Sequence, residues 1–422
     1  MHTTATSTAP IQQDETSVRA DLTESPSLLR LADAPYFPIA FIARLPFAMI
    51  VIGVLTVVVA ARESMALGGL VSAFVGLGAA TVGPLLGAGA DRFGQRPVLL
   101  IIAPVNSVLL VVFAVVVYGE AATPLLLLTA FGIGATAPQV APLSRSRLVT
   151  LITDRMQASK KPRTLAATMS YESAADEMVF VFGPFLVGLL ASMLAPWAPL
   201  VIAATLSMIF VVAFAMHPTG ALRSRERSGT GAASSRAVEL CRPQLLVVVF
   251  GIIGVGMFFG SVLTSLTSFM SDMGEPESAG LYYGVMGIGS AVLALGAAWL
   301  PTRFTLAGRW LSFGAILLAG SLLLAFADSL SGMILALVLM GTGVGPVLVT
   351  MFSLGAERSP LGRSATVMTM LGSGIIVGQS AAAAVTGQVA EAVGTGAAMW
   401  AAACAALVVM LAGVVNAMLP RA

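Results

Sequence analysis

The chain has 422 residues, of which 57% are hydrophobic and only 10% charged, with mean hydropathy +0.94 and formal net charge +2. Soluble proteins carry about 25% charged residues. The composition therefore excludes the two or three soluble domains this length would suggest, and it requires a polytopic helical membrane protein embedded in a lipid bilayer.

Residues 1–36 are rich in Thr, Ser and Ala with mixed charges, and they lack the basic start and short apolar core of a cleavable signal. They read as a disordered tail. Apolar segments follow at 37–61, 66–89, 97–117, 122–144, 165–191 and 197–216, then at 244–270, 278–300, 310–327, 331–354, 364–389 and 396–419. Each is long enough to cross a hydrocarbon core of about 30 Å as a helix. The polar, arginine-bearing stretch 217–243 reads as a linker between a six-helix bundle at 37–216 and a second at 244–419.

Basic residues orient this arrangement. With a cytoplasmic N-terminus, 20 of the 22 Lys and Arg fall in inside segments, including Arg92, Arg96, Arg145, Arg147 and Arg155. The opposite loops carry acids such as Glu120, Asp272 and Glu391. The asymmetry predicts a multi-pass protein of the cytoplasmic membrane with both termini and the linker inside.

Between the second and third segments lies Gly87-Ala-Gly-Ala-Asp91-Arg92-Phe-Gly94-Gln-Arg96. Its glycines permit a tight turn and closely packed helix ends, and its charges sit at the lipid–water boundary. Gly-x-x-x-Asp-Arg-x-Gly-x-Arg at this place resembles the signature loop of the major facilitator superfamily. The resemblance implies an all-α membrane fold of twelve helices in two pseudo-symmetric six-helix bundles, working by alternating access. It also implies that Asp91 and Arg92 engage a helix end of the second half. The halves look repeated as well: Arg92-Phe93 recurs as Arg303-Phe304, and Gly132-x-Gly134 as Gly343-x-Gly345, both 211 positions on. The second copy of the loop is degraded, with Thr302 where Asp91 stands.

Charges inside the apolar segments are the candidates for chemistry, because a buried ion needs a partner or a wet cavity. Arg44 lies in the first segment, about 10 Å deep at 1.5 Å per residue. Glu172 and Glu177 of the fifth lie about 12 and 20 Å deep, with Asp176 one turn beyond Glu172 on the same face. One cation among three anions supports two readings: a static ion pair holding two helices in register, or a proton or substrate site. Glu177, deepest and farthest from Arg44, is the expected proton carrier, and Asp176 or Glu172 the partner of Arg44.

The run Gly183-Pro184-Phe-Leu-Val-Gly188 in the fifth segment predicts a kink with close packing. It resembles the fifth-helix motif of drug/proton exchangers in the superfamily, departing at Val187, where those have glycine. The fourth segment lacks the arginine such exporters carry near Gly132-Ile-Gly134. In the second half the cavity candidates are Phe258, Ser261, Thr264 and Ser265 of the seventh segment, Tyr282 of the eighth and Gln379 of the eleventh. An apolar wall with scattered hydroxyls suits an amphipathic solute.

Together these features predict a monomeric secondary transporter exporting a small amphipathic metabolite or drug in exchange for protons, with a proton-coupled importer or facilitator as the alternative. No cofactor or metal is expected: Cys241 and Cys404 are far apart, and His2 and His217 lie outside the apolar segments. An enzyme is disfavoured, since HExxH and Gly-x-Ser-x-Gly are both missing. Nucleic acid is excluded as a partner because the basic residues are spread over alternating loops.

Overall fold

The structure, a computed structural model, describes residues 28–119, 122–221, 237–274, 279–301 and 303–420. Every regular element among them is helical. Eleven helices are long and apolar enough to cross a membrane. With the fifth, the 33-residue helix Lys161–Met193, the spans number twelve. In order the others are Tyr36–Arg62, Leu67–Phe93, Gln95–Val116, Thr123–Arg155, Ala198–Met216, Pro243–Asp272, Tyr282–Trp299, Leu306–Ala325, Leu330–Glu357, Ser364–Val393 and Thr395–Met418.

Local chemistry sets the turns between them. Glu63 ends the first span in the left-handed region, and the Ser64 side chain then accepts from the Leu67 amide to start the second. Gly94 joins the second and third spans alone, at φ 95°, a conformation that L side chains rarely adopt. Thr305 and Ser329 cap the ninth and tenth spans in the same way as Ser64.

The 211-residue repeat has a packing cause. A Cβ on Gly134 would collide with the Val75 carbonyl, so the fourth span touches the second backbone to backbone. A Cβ on Gly345 would collide with the Ser290 carbonyl, so the tenth span touches the eighth in the equivalent way. Gly132 faces Leu109 of the third span, and Gly343 faces Phe313 and Leu317 of the ninth. One glycine pair in each half thus carries the same three-helix junction.

Between the halves, the second span lies along the eleventh and the fifth along the eighth. The first of these seams is lined by small residues: Gly76 meets Ser380, Gly83 meets Ser373, and Gly87 meets Thr369.

Two spans are broken by turns, each at a proline, whereas the sixth passes through a π-helical segment at Ser207–Val211 without a break. In the first, Tyr36–Ile42 and Leu45–Arg62 are separate helices, because Pro46 has no N–H to offer the Ile42 carbonyl. In the fourth, Thr123–Ala135 and Val140–Arg155 flank an irregular stretch at 136–139 around Pro138. Asn106 of the third span compensates, donating to the freed Ile133 carbonyl at 2.8 Å and to Thr136 Oγ1 at 3.1 Å.

Two sequence expectations change here. The fourth span does not end at 144 but runs to Arg155, so Arg145 and Arg147 belong to a buried helix and not to a loop. The tail is not wholly irregular, since Leu28–Ala32 forms a short helix that buries Ala32. Residues 1–27 lie outside the described residues, as do 222–236 of the linker and Thr302.

Candidate functional site

The two interruptions and the middle of the fifth span meet around one cluster of buried ions. Arg44, at the break in the first span, places Nη2 2.6 Å from Glu172 Oε2 and Nη1 3.1 Å from Asp176 Oδ1. Arg145, just past the break in the fourth span, places Nη2 2.6 Å from Asp176 Oδ2. Asp176 therefore bridges two guanidinium groups, one through each carboxylate oxygen. Glu172 is fully buried, and its second oxygen accepts from Ser144 Oγ at 3.0 Å. Ser144 having spent its proton there, the Tyr36 hydroxyl donates to it at 2.8 Å. Fixed in this way, Glu172 anchors Arg44. Asp176 is the more accessible acid, 17% exposed against 0%.

Asp176, Arg44 and Arg145 line a central cavity of about 60 Å³. Phe47, Gln139 and Val179 of the first half complete one wall, and Phe352, Gly372, Ile375 and Ile376 of the second half form the other. The Arg145 guanidinium lies 3.6 Å from the centre of the Phe352 ring, so a first-half cation stacks on a second-half aromatic. A solute in this cavity would touch both halves.

Arg145 changes the electrostatic balance read from the sequence. Among the described side chains the cluster holds two cations and two anions, not one cation among three anions. The Glu177 and Pro184 side chains lie outside the described residues. A signal for Arg145 was present: Val140, Leu143, Leu148, Leu151 and Ile152 keep helical spacing straight through the arginines.

The signature loop sits at one end of the seam between the second and eleventh spans. Asp91 accepts from the Ala365 amide at 3.0 Å, from the Thr366 amide at 2.7 Å and from the Thr366 hydroxyl. These amides belong to the first turn of the eleventh span, where a carboxylate meets the positive end of the helix dipole. Arg96 donates to the Ala215 and Met216 carbonyls that end the sixth span. Arg92 lies beside the Phe93 ring, 5.2 Å from its centre. Arg147 stacks on Phe214 at 3.9 Å and donates to the Phe214 carbonyl and Thr219 Oγ1, tying the fourth span to the sixth. At this end Asp91, and Gly87 packed on Thr369, join the first half to the second.

The fifth-span motif and the second-half candidates are placed less centrally. Gly183 packs directly on Ala48 of the first span, whereas a Cβ on Gly188 would meet open space among the described residues. The helix is unbroken from Lys161 to Met193. None of the six second-half cavity candidates lines the cavity beside the ions. Phe258 is fully buried in the second-half core, Ser265 bonds to its own helix at the Val262 carbonyl, and the Thr386 hydroxyl donates to Ser261 across the seventh–eleventh interface. Thr264, Tyr282 and Gln379 are half-buried.

Twelve membrane-crossing helices in two repeated halves, with buried charges at a cavity between them, define a multi-pass membrane transporter rather than an enzyme. The family model described as Major Facilitator Superfamily matches residues 36–373, and the chain belongs to that family. No curated protein matches the chain by sequence. Solved structures share its fold at low identity. The human organic anion transporter MFSD10 (TETRAN) superposes with TM-score 0.67 at 18% identity, covering 92% of this chain and 100% of that one. A bacterial homologue of the iron transporter ferroportin, in an outward-facing state, gives 0.69 at 13%, covering 93% and 100%. The E. coli fucose:proton symporter FucP gives 0.64 at 16%, covering 90% and 98%.

Proposed function

We propose that this protein is a proton-coupled secondary transporter of a small amphipathic solute, working as a monomer by alternating access, with export as its direction. One observation carries the reading: Asp176, a cavity-lining carboxylate, is held by two arginines from two other helices. A carboxylate in a desolvated cavity stays ionised only while its counter-charges stay close. Helix movements that separate Asp176 from Arg44 or Arg145 would therefore be coupled to proton uptake. The Gly183–Gly188 resemblance to exchangers supports export, and the two-bundle architecture supports domains at 37–216 and 244–419. A second reading is proton-coupled import, which uses the same paired acid with solute and proton moving together.

The two directions separate in proteoliposomes carrying a lumenal pH dye, with protein-free liposomes as control. A panel of amphipathic solutes added outside should dissipate an acid-inside gradient if solute and proton exchange. Dissipation of an acid-outside gradient alone would establish symport instead. Asp176→Asn should abolish either response. Full coupling in that variant, with loss of coupling in Glu177→Gln, would move the proton site to Glu177.

Both termini and the linker are assigned to the cytoplasm of a cytoplasmic membrane. The arginines left in loops after Arg145 and Arg147 are removed keep the asymmetry. Reporter fusions at residues 225 and 422 should read cytoplasmic, and an exterior signal from either would reverse the assignment.

A further inference from the structure

The polar groups around the central cavity are unequally satisfied, and the imbalance has a sign. Three buried donors on cavity-lining residues have no hydrogen-bond acceptor: Arg44 Nε, Arg145 Nε and Gln139 Nε2. Among the described lining residues, no buried side-chain oxygen lacks a partner in the same way. Gln139 and Arg145 are 3% and 2% exposed, so bulk water does not serve them. Buried donors left unpaired are costly, and the group that satisfies them is rich in acceptors.

Charge points the same way. A cationic ligand would have to approach Asp176, both of whose oxygens are already held, and would face two guanidinium groups while doing so. An anionic ligand meets donors. Asp176 itself demonstrates the fit, since its carboxylate rests on Arg145 at 2.6 Å. Exchanging one carboxylate for another on that guanidinium conserves its hydrogen bonding, while the displaced Asp176 keeps Arg44 as its counter-charge. Phe352, stacked on the guanidinium, holds its plane while the exchange occurs. Gln139 sits between Gly83 of the second span and Gly372 of the eleventh, beside the same opening. The rest of the wall is apolar, from Phe47 and Val179 on one side to Ile375 and Ile376 on the other.

We propose that this cavity binds the carboxylate, or an equivalent monoanionic head, of an amphipathic substrate, with Arg145 and Gln139 as its ligands in place of Asp176. The substrate class is thus an organic monoanion with a compact apolar body. This rests on the transport reading above for its physiological meaning, while the binding itself needs no gradient.

The test uses purified full-length protein in detergent and three straight-chain probes of six carbons each, differing in head group: hexanoate, hexanamide and hexylamine. Saturable thermal stabilisation is expected from hexanoate and not from the other two. Gln139→Leu should weaken hexanoate about tenfold, the scale of one hydrogen bond to a charged group. Arg145→Gln combined with Asp176→Asn removes one charge of each sign, so the Arg44–Glu172 pair stays balanced and the fold is spared. The hexanoate response should vanish in it. Stabilisation by hexylamine or hexanamide equal to that by hexanoate overturns the proposal, as does a hexanoate response that is missing in the parent or unchanged in both variants. Hexylamine selectivity would leave the transport reading standing with a cationic solute. Hexanoate selectivity without any gradient response in proteoliposomes would sink proton coupling and leave the anion site intact.

Discussion

The two halves of the molecule share a backbone plan but not a chemistry. Shifted by the 211-residue repeat, Arg44, Arg145, Glu172 and Asp176 correspond to Val255, Ala356, Ala383 and Gly387. Every member of the buried ion cluster has a small or apolar counterpart in the second half. That half buries methionines, glycines and hydroxyls, and it contributes Phe352 and the Ile375–Ile376 wall to the cavity. The glycine junctions at Gly134 and Gly345 have stayed equivalent, because both halves need the same helix spacing. Packing constrains the repeated positions equally in both bundles, whereas the Arg44, Arg145, Glu172 and Asp176 cluster is built in the first alone. One bundle carries the charge and the other supplies a wall against which it works.

The largest expected effect breaks this asymmetry directly. Arg44→Ala strands Glu172 and weakens the hold on Asp176, at a cost of about 3–5 kcal/mol for removing one member of a buried pair. Val255→Ala, at the equivalent position, only deletes methyl groups and should cost about 1–3 kcal/mol. Melting temperatures in detergent should therefore fall much further for the arginine variant. Equal losses would mean that the charges are not needed for folding of the first half.

An intermediate effect sharpens the shared part of the comparison. Gly134→Ala and Gly345→Ala each force a Cβ into a facing carbonyl, an overpacking of about 1–3 kcal/mol. The two losses should match. A tolerated alanine at one site and not the other would show that the junctions are not under the same constraint.

The smallest effect on stability concerns the contact that joins the second span to the start of the eleventh. Asp91→Asn keeps an acceptor but loses the charge that meets three donors at the start of the eleventh span, worth about 1 kcal/mol. That is enough to shift the balance between conformations several-fold. Transport should drop while solute affinity in detergent stays near that of the parent. Unimpaired transport would remove Asp91 from the switching mechanism.

How far the site was legible in the sequence differs residue by residue. Arg44, Glu172 and Asp176 stood out because each interrupts an apolar run long enough to cross a membrane. Arg145 did not, since it follows Pro142 and precedes Arg147 and Arg155 in a stretch polar enough to pass for a loop. Hydropathy reads a charge as a sign of water and takes no account of a counter-charge that lies about thirty residues on in sequence and one helix away in space. Gln139 gave no sequence signal, because its position depends on the break that Pro138 makes and on Asn106 repairing it.

By itself, the sequence determined the number and extent of most spans, the turn at Gly94, the repeat and the family-defining loop. These follow from local quantities: apolar length against bilayer thickness, and backbone freedom at glycine. Only the tertiary structure decided which charges are paired, which acid faces the cavity, and that Phe352 of one half covers Arg145 of the other. The pairing of a buried ion is set by what stands within a few ångströms of it, and residues that meet across helices are brought there by the packing of whole bundles.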